Sequence, residues 1–294
     1  MPEPGHLIHV GFPKAGSTSL QAWFERHPEL VYAHGRFGGY RTLRHLPART
    51  GDPSRGPAWH VSSEERLVLP APDDLADLNT LGDVRERRAR ACVVLRLLSP
   101  GATILLVTRG FRGALQSIYA HFVSAGGRLG IGEAFGSSRV DLDALLDYDE
   151  AIALYEQAFG AENVIVLPFE LLRDDPSAFL SALSKRLGLT TPVDEIEHLN
   201  PSLSPAELYW YPRISRSIER LVGRRRELLR LYRARIGGPG LGRIVRVLST
   251  IAPPSTWTPA DELPDSIVER QRGHATALAT RPHYAPYHHD YLND

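Results

Sequence analysis

Three short apolar runs constrain this chain most: Leu7–Phe12, Thr103–Thr108 and Val164–Leu167. None alternates apolar with polar residues, and helical patterns lie between them. A strand buried on both faces reads as a continuous apolar run, and strands separated by helices pair in parallel. Ser17–Arg26 carries Leu20, Trp23 and Phe24 at helical spacing and ends before Pro28. Further helices are predicted over Asp83–Leu98, with Ala89, Val93 and Leu97 on one stripe, and over Phe111–Ala125, closed by Gly126-Gly127. An acidic helix spans Leu142–Phe159 and stops at Gly160. Another runs from Pro176 to Leu187, with Asp174 or Asp175 at its start and Gly188 after it. The expectation is an α/β fold, a central parallel sheet with helices on both faces. Tyr32–Pro72 shows little periodicity and reads as a long irregular segment, a kind that tends to be functional or mobile. Beyond Pro201 the chain reads as helical and arginine-rich, and no pattern assigns the tail from His283.

Composition narrows the partners. The 294 residues hold 34 Lys+Arg and 34 Asp+Glu, so no global positive potential draws the chain to nucleic acid. Cys92 stands alone in an apolar stretch, which excludes an internal disulfide and a cysteine-based zinc cage. It reads as a buried, inert thiol and fits a reducing compartment. No window reaches the roughly 18 apolar residues of a membrane span, and the first residues lack a signal-peptide pattern. A soluble, cytoplasmic protein is expected. Residues 1–294 read as one domain, with a core over 7–190 and a helical extension over 201–294. The charge is uneven: thirteen acids lie between Val140 and Asn200, and eleven arginines between Tyr209 and Arg246.

Two stretches carry chemistry. The first, Gly11-Phe12-Pro13-Lys14-Ala15-Gly16-Ser17-Thr18-Ser19-Leu20, runs from strand through turn into helix. Unpaired N–H groups and the positive dipole end make a helix N-terminus a phosphate or sulfate site. Ser17 and Thr18 add hydroxyls, Gly16 admits close backbone approach, and Lys14 brings a movable charge. The order differs from a Walker A sequence, where lysine follows glycine directly. A plain turn capped by Ser17 is the simpler reading. Lysine usage argues against it, because Lys14 and Lys185 are the only lysines among 34 basic residues. An ammonium and a guanidinium fork are not interchangeable. In the second stretch Arg109 stands at the carboxyl end of the Thr103–Thr108 strand, the edge where α/β sheets bind ligands. Ser117 follows eight residues later, about two helical turns on. A surface arginine and a helix-surface serine are the simpler reading of that pair.

Together the two stretches resemble the sulfotransferases that use 3′-phosphoadenosine 5′-phosphosulfate (PAPS). Pro13–Leu20 is similar to that family's loop for the 5′-phosphosulfate, written PKxGTTxL, with Ser17 where threonine is commoner. The Arg109–Ser117 spacing is similar to its 3′-phosphate pair. Val164–Leu172 is similar to a strand and turn written VxVLxYExL, and His60–Glu64 to an SSE segment of bacterial members. The resemblance covers residues 7–190; the glycine-rich RKGxxG loop of cytosolic members is missing. It implies a P-loop-like α/β fold, PAPS as donor, the bisphosphate PAP as product, and sulfuryl transfer without metal or redox cofactor. Lys14 would stabilise the leaving phosphate oxygen. Ala15, Gly16, Ser17, Thr18 and Ser19 would hold the 5′-phosphate, and Arg109 and Ser117 would select the 3′-phosphate. Candidate bases for the acceptor are His34, His45, His60 and Glu64.

The expected acceptor is a hydroxyl of a carbohydrate, lipid or small metabolite. A P-loop nucleotide or metabolite kinase is the first alternative, disfavoured because no Asp stands at the tip of Thr103–Thr108 to hold magnesium. A non-catalytic binder of acidic polymers is the second. The arginines Arg213, Arg216, Arg220, Arg224, Arg225 and Arg226 read as a solvated face paired with the acidic Asp141–Glu150 helix. They also suit an acidic polysaccharide or anionic lipid headgroups. Tyr209-Trp210-Tyr211 suits stacking on a sugar or packing in the core.

Overall fold

The computed structural model describes residues 5–12, 14–32, 59–63, 84–136, 141–193, 196, 203–222, 231–232, 235–236, 238–251 and 262–292. Five parallel strands form one sheet: β1 (His6–His9), β2 (Leu30–Tyr32), β3 (Trp59–Ser63), β4 (Thr103–Thr108) and β5 (Val164–Pro168), in the order β2-β3-β1-β4-β5. All five residues of β5 are buried, as are the last five of β4. Consecutive burial means that helices cover both faces. This is the α/β architecture that the three apolar runs imply.

Two strands lie where no apolar run is long enough to signal them. β2 has three residues, and β3 sits inside the segment read as irregular. Its sequence, Trp-His-Val-Ser-Ser, is half polar. The polar side chains are satisfied in the sheet: His6 bonds Ser62 and Ser99, and His9 bonds Ser63.

The helices follow the sequence reading with two departures. α1 (Ser17–Arg26), α3 (Phe111–Ser124) and α8 (Pro176–Leu187) agree with the sequence reading, with Asp175 capping α8 and Gly188 ending it in the left-handed region. α2 (Val84–Leu98) buries Val84, Arg88, Ala91, Cys92 and Leu95 and exposes Val93 and Leu97, so the Ala89, Val93 and Leu97 stripe read from the sequence points outward. The helix turns its other side inward because Arg88 anchors it. That guanidinium is fully buried and donates to the carbonyls of Ala144 and Leu145 and to Glu150. The acidic helix is also broken in two, α5 (Leu142–Leu145) and α6 (Tyr148–Phe159), because Asp147 caps the second by accepting from the Glu150 N–H. Its carboxylates pair with Arg85, Arg88 and Arg270, and among the described residues none pairs with Arg213, Arg216 or Arg220; Arg224, Arg225 and Arg226 lie outside the described residues.

The remaining elements are α4 (Ile131–Gly136), α7 (Phe169–Asp174), α9 (Pro205–Val222), α10 (Pro239–Ile251), α11 (Asp265–Arg272) and α12 (His288–Tyr291). α9 packs on α3 and is tied to the turn before α4 by the Arg128–Glu219 pair and to α4 itself by the Arg216–Glu133 pair. Cys92 is buried, and burial raises its thiol to about 11. No helix among the described residues is long and apolar enough to cross a membrane.

Candidate functional site

β1 lies between β3 and β4, where the strand order of the all-parallel sheet switches from one side of β1 to the other, and such switch points open a crevice at the carboxyl edge. The backbone continues past β1 along β4, with Val10 N–H donating to the Leu105 carbonyl at 3.0 Å. It then turns sharply. Lys14 takes φ 63° and Gly16 φ 81°, two left-handed residues in three. At Gly16 this geometry requires glycine twice over. A side chain there would also press within 2.8 Å of Leu172 and 3.0 Å of Phe169. A lysine in this region costs on the order of 1–2 kcal/mol, so its placement is held by the surrounding structure.

The turn delivers the N-terminus of α1 to the crevice, and among the described residues no side chain caps it. Ser17 is buried, and its Oγ has no hydrogen-bond partner among the described residues. The simpler reading, a turn capped by Ser17, is therefore not what forms. An uncapped helix end with a buried, unsatisfied hydroxyl is a concentration of donors suited to an anion. Ala15 is buried, Ser19 half-buried, and Lys14 and Thr18 face solvent.

Arg109, directly after β4, closes this loop from the other side. Its guanidinium donates to the Lys14 carbonyl at 2.7 Å and lies 4.6 Å over the Phe169 ring. Burial pulls it below the ordinary guanidinium value, opposed by the neighbouring Glu170 and Tyr148. The two sequence stretches thus meet in space. Ser117 sits buried on α3.

The four candidate bases fare differently. His34, His45 and Glu64 lie outside the described residues, as does Pro13. His60 pairs in register with His6 at the start of β1, whereas Ser63 pairs with His9 at its end. That puts His60 about 10 Å from the carboxyl edge at ~3.3 Å per residue, and the structure does not bring it to the loop.

Sequence reasoning missed the support behind Arg109. Glu170, buried at the start of α7, accepts from the Gly110 N–H at 3.0 Å and from the Tyr291 hydroxyl at 2.5 Å. Thr108 donates to Tyr291 at 3.2 Å and so must accept from Tyr284 at 2.7 Å. The hydroxyls Tyr284, Thr108 and Tyr291 therefore point their protons one way, toward the Glu170 carboxylate. Burial raises both tyrosines well above the usual phenol range. Tyr148 completes the clamp by donating to the Arg109 carbonyl at 2.5 Å and stacking on Phe111. A Cβ on Gly110 would lie 2.6 Å from that of Asp290, so glycine is needed for α12 to approach. The available signal was the acid of Pro168-Phe169-Glu170; the tail tyrosines have no periodicity to betray them.

Among the described residues no group of three His, Cys, Asp or Glu side chains is arranged to hold a metal. No family model matches the chain, and no curated protein matches it in sequence. Among solved structures, a sulfotransferase from Alicyclobacillus acidocaldarius is similar at TM-score 0.48 and 20% identity, over 78% of this chain and 100% of that one. The mouse sulfotransferase SULT7A1, solved in complex with PAP, is similar at TM-score 0.35 and 14% identity, over 72% of this chain and 64% of that one.

Proposed function

We propose that the chain is a PAPS-dependent sulfotransferase acting on an acceptor hydroxyl. One observation carries this reading: the Arg109 guanidinium bonded to the Lys14 carbonyl, which joins an uncapped helix end to a second cationic turn. A nucleotide with phosphates at both 5′ and 3′ positions needs two such anion sites side by side. The bound donor supplies the sulfuryl group. Lys14 would neutralise the charge that grows on the 5′-phosphate oxygen as the sulfur–oxygen bond breaks. The helix start at Ala15, Gly16, Ser17, Thr18 and Ser19 would hold that phosphate, and Arg109 with Ser117 the 3′-phosphate. The acceptor oxygen forms the new bond to sulfur, and its proton would pass to His34, His45 or Glu64; His60 stands too far back along β3. Positioning and charge neutralisation suffice for such transfers, as they do for phosphoryl groups.

The test is mass spectrometry of carbohydrate, lipid and metabolite acceptor pools incubated with PAPS and the protein. A sulfate mass gain with stoichiometric PAP release is expected. Turnover of ATP with magnesium in place of PAPS would overturn the reading in favour of a kinase.

A further inference from the structure

The arginine-rich region has a surface that the donor site leaves unused. From Leu228 to Ala260 the sequence contains five arginines and no acid. Within it, α10 buries Val245 and half-buries Leu241 and Leu248, packing on α9, and turns Arg243, Ile244, Arg246 and Val247 to solvent. At about 100° per residue Val247 lies between Arg243 and Ile244, so cationic and apolar side chains share one continuous arc. Ile244 is 51% exposed and Val247 59%, and Leu221 near the end of α9 is 86% exposed. The ion pairs of this region use Arg128 with Glu219 and Arg216 with Glu133. Among the described residues no carboxylate pairs with Arg220, Arg243 or Arg246.

We propose that α10 lies on the surface of a bilayer rich in anionic lipid. Ile244 and Val247 enter the headgroup–acyl boundary, while Arg243 and Arg246 contact lipid phosphates. A short amphipathic helix with basic flanks binds in this way. Two other occupants fit less well. A second copy of the chain would set arginine against arginine with no acid to relieve them. A soluble polyanion would answer the arginines but leave the exposed aliphatic residues without a role. The surface is independent of the proposed transfer chemistry.

Co-sedimentation of the full chain with vesicles tests this, using pure phosphatidylcholine against phosphatidylcholine mixed with phosphatidylglycerol. Binding to the anionic vesicles should be at least about tenfold tighter, given roughly fivefold per basic residue at such a surface, and should weaken with salt. Reversing both charges (Arg243→Glu with Arg246→Glu) should remove that preference. Ile244→Ser with Val247→Ser should weaken binding even at high salt, where the charges are screened. Equal binding of the wild-type chain to both vesicle types would overturn the proposal. So would polyanion binding as tight as vesicle binding and untouched by the serine pair, or a vesicle-free dimer that the charge reversal dissociates.

Discussion

Lys14 and Gly16 share a left-handed turn for different reasons, and substitution separates them. Gly16→Ala forces a side chain into both a positive φ and the Leu172 and Phe169 side chains. It should cost about 1–3 kcal/mol, seen as a lower denaturant midpoint. Lys14→Gly removes strain and charge together. Its stability should stay within about 1 kcal/mol of wild type or rise, while sulfate transfer falls about 10²–10³-fold. Steady-state transfer and equilibrium unfolding on the same preparation distinguish the two effects. A Lys14→Gly protein that is stable and fully active would remove Lys14 from the chemistry. The loop was legible in sequence because its chemistry is local: a strand end, two glycines, three hydroxyl residues and a rare lysine within ten positions. The clamp on Arg109 was not, because Glu170 and Tyr291 lie 121 residues apart and meet only in the folded chain.

The elements show where periodicity misleads. In α2 two opposite faces carry apolar residues, and the choice between them rests on Arg88, whose burial no hydrophobic pattern foretells. Its partners, the Ala144 and Leu145 carbonyls and Glu150, all lie on α5 and α6 or the turn joining them. Arg88→Ala leaves the two carbonyls unpaired and Glu150 with Arg85 alone, and should destabilise by about 1–3 kcal/mol, read as a shifted midpoint in urea. The C-terminal segment is a second case. Short turns around Tyr284 and Tyr291 lack helical spacing, yet they pack on the carboxyl end of β4. Tyr291→Phe takes the donor from a buried carboxylate oxygen and should cost about 1–3 kcal/mol. It should also loosen the Gly110 turn and weaken nucleotide binding more than it slows transfer at saturating donor. An unchanged KM for PAPS in that variant would mean that the tail braces the fold alone.

At the scale of the whole molecule the buried histidines set the response to pH. His9 is fully buried, and desolvation lowers it to about 4; His6 falls to about 4 through burial and the nearby His60. Both sit below the ordinary 6.5, so the unfolded chain takes up protons first as pH falls. Their stabilisation is complete above about 6.5 and is lost on descending toward 4, on the order of 3 kcal/mol for His9. Urea midpoints measured across that window should drop, and His9→Gln should flatten the slope. The overall sheet was legible because β1, β4 and β5 are buried on both faces. Its left edge was not, since β2 is three residues long and β3 is half polar. The central claim is that the Lys14 loop and the Arg109 turn form one site for a nucleotide phosphorylated at both ends. Calorimetric titration with adenosine 3′,5′-bisphosphate and with adenosine 5′-monophosphate measures it directly. The wild-type chain should bind the bisphosphate at least about tenfold more tightly, and Arg109→Ala should erase that difference, as loss of a charged hydrogen bond of roughly 1.5–3 kcal/mol requires. Equal affinity of the wild-type chain for the two nucleotides would contradict the claim.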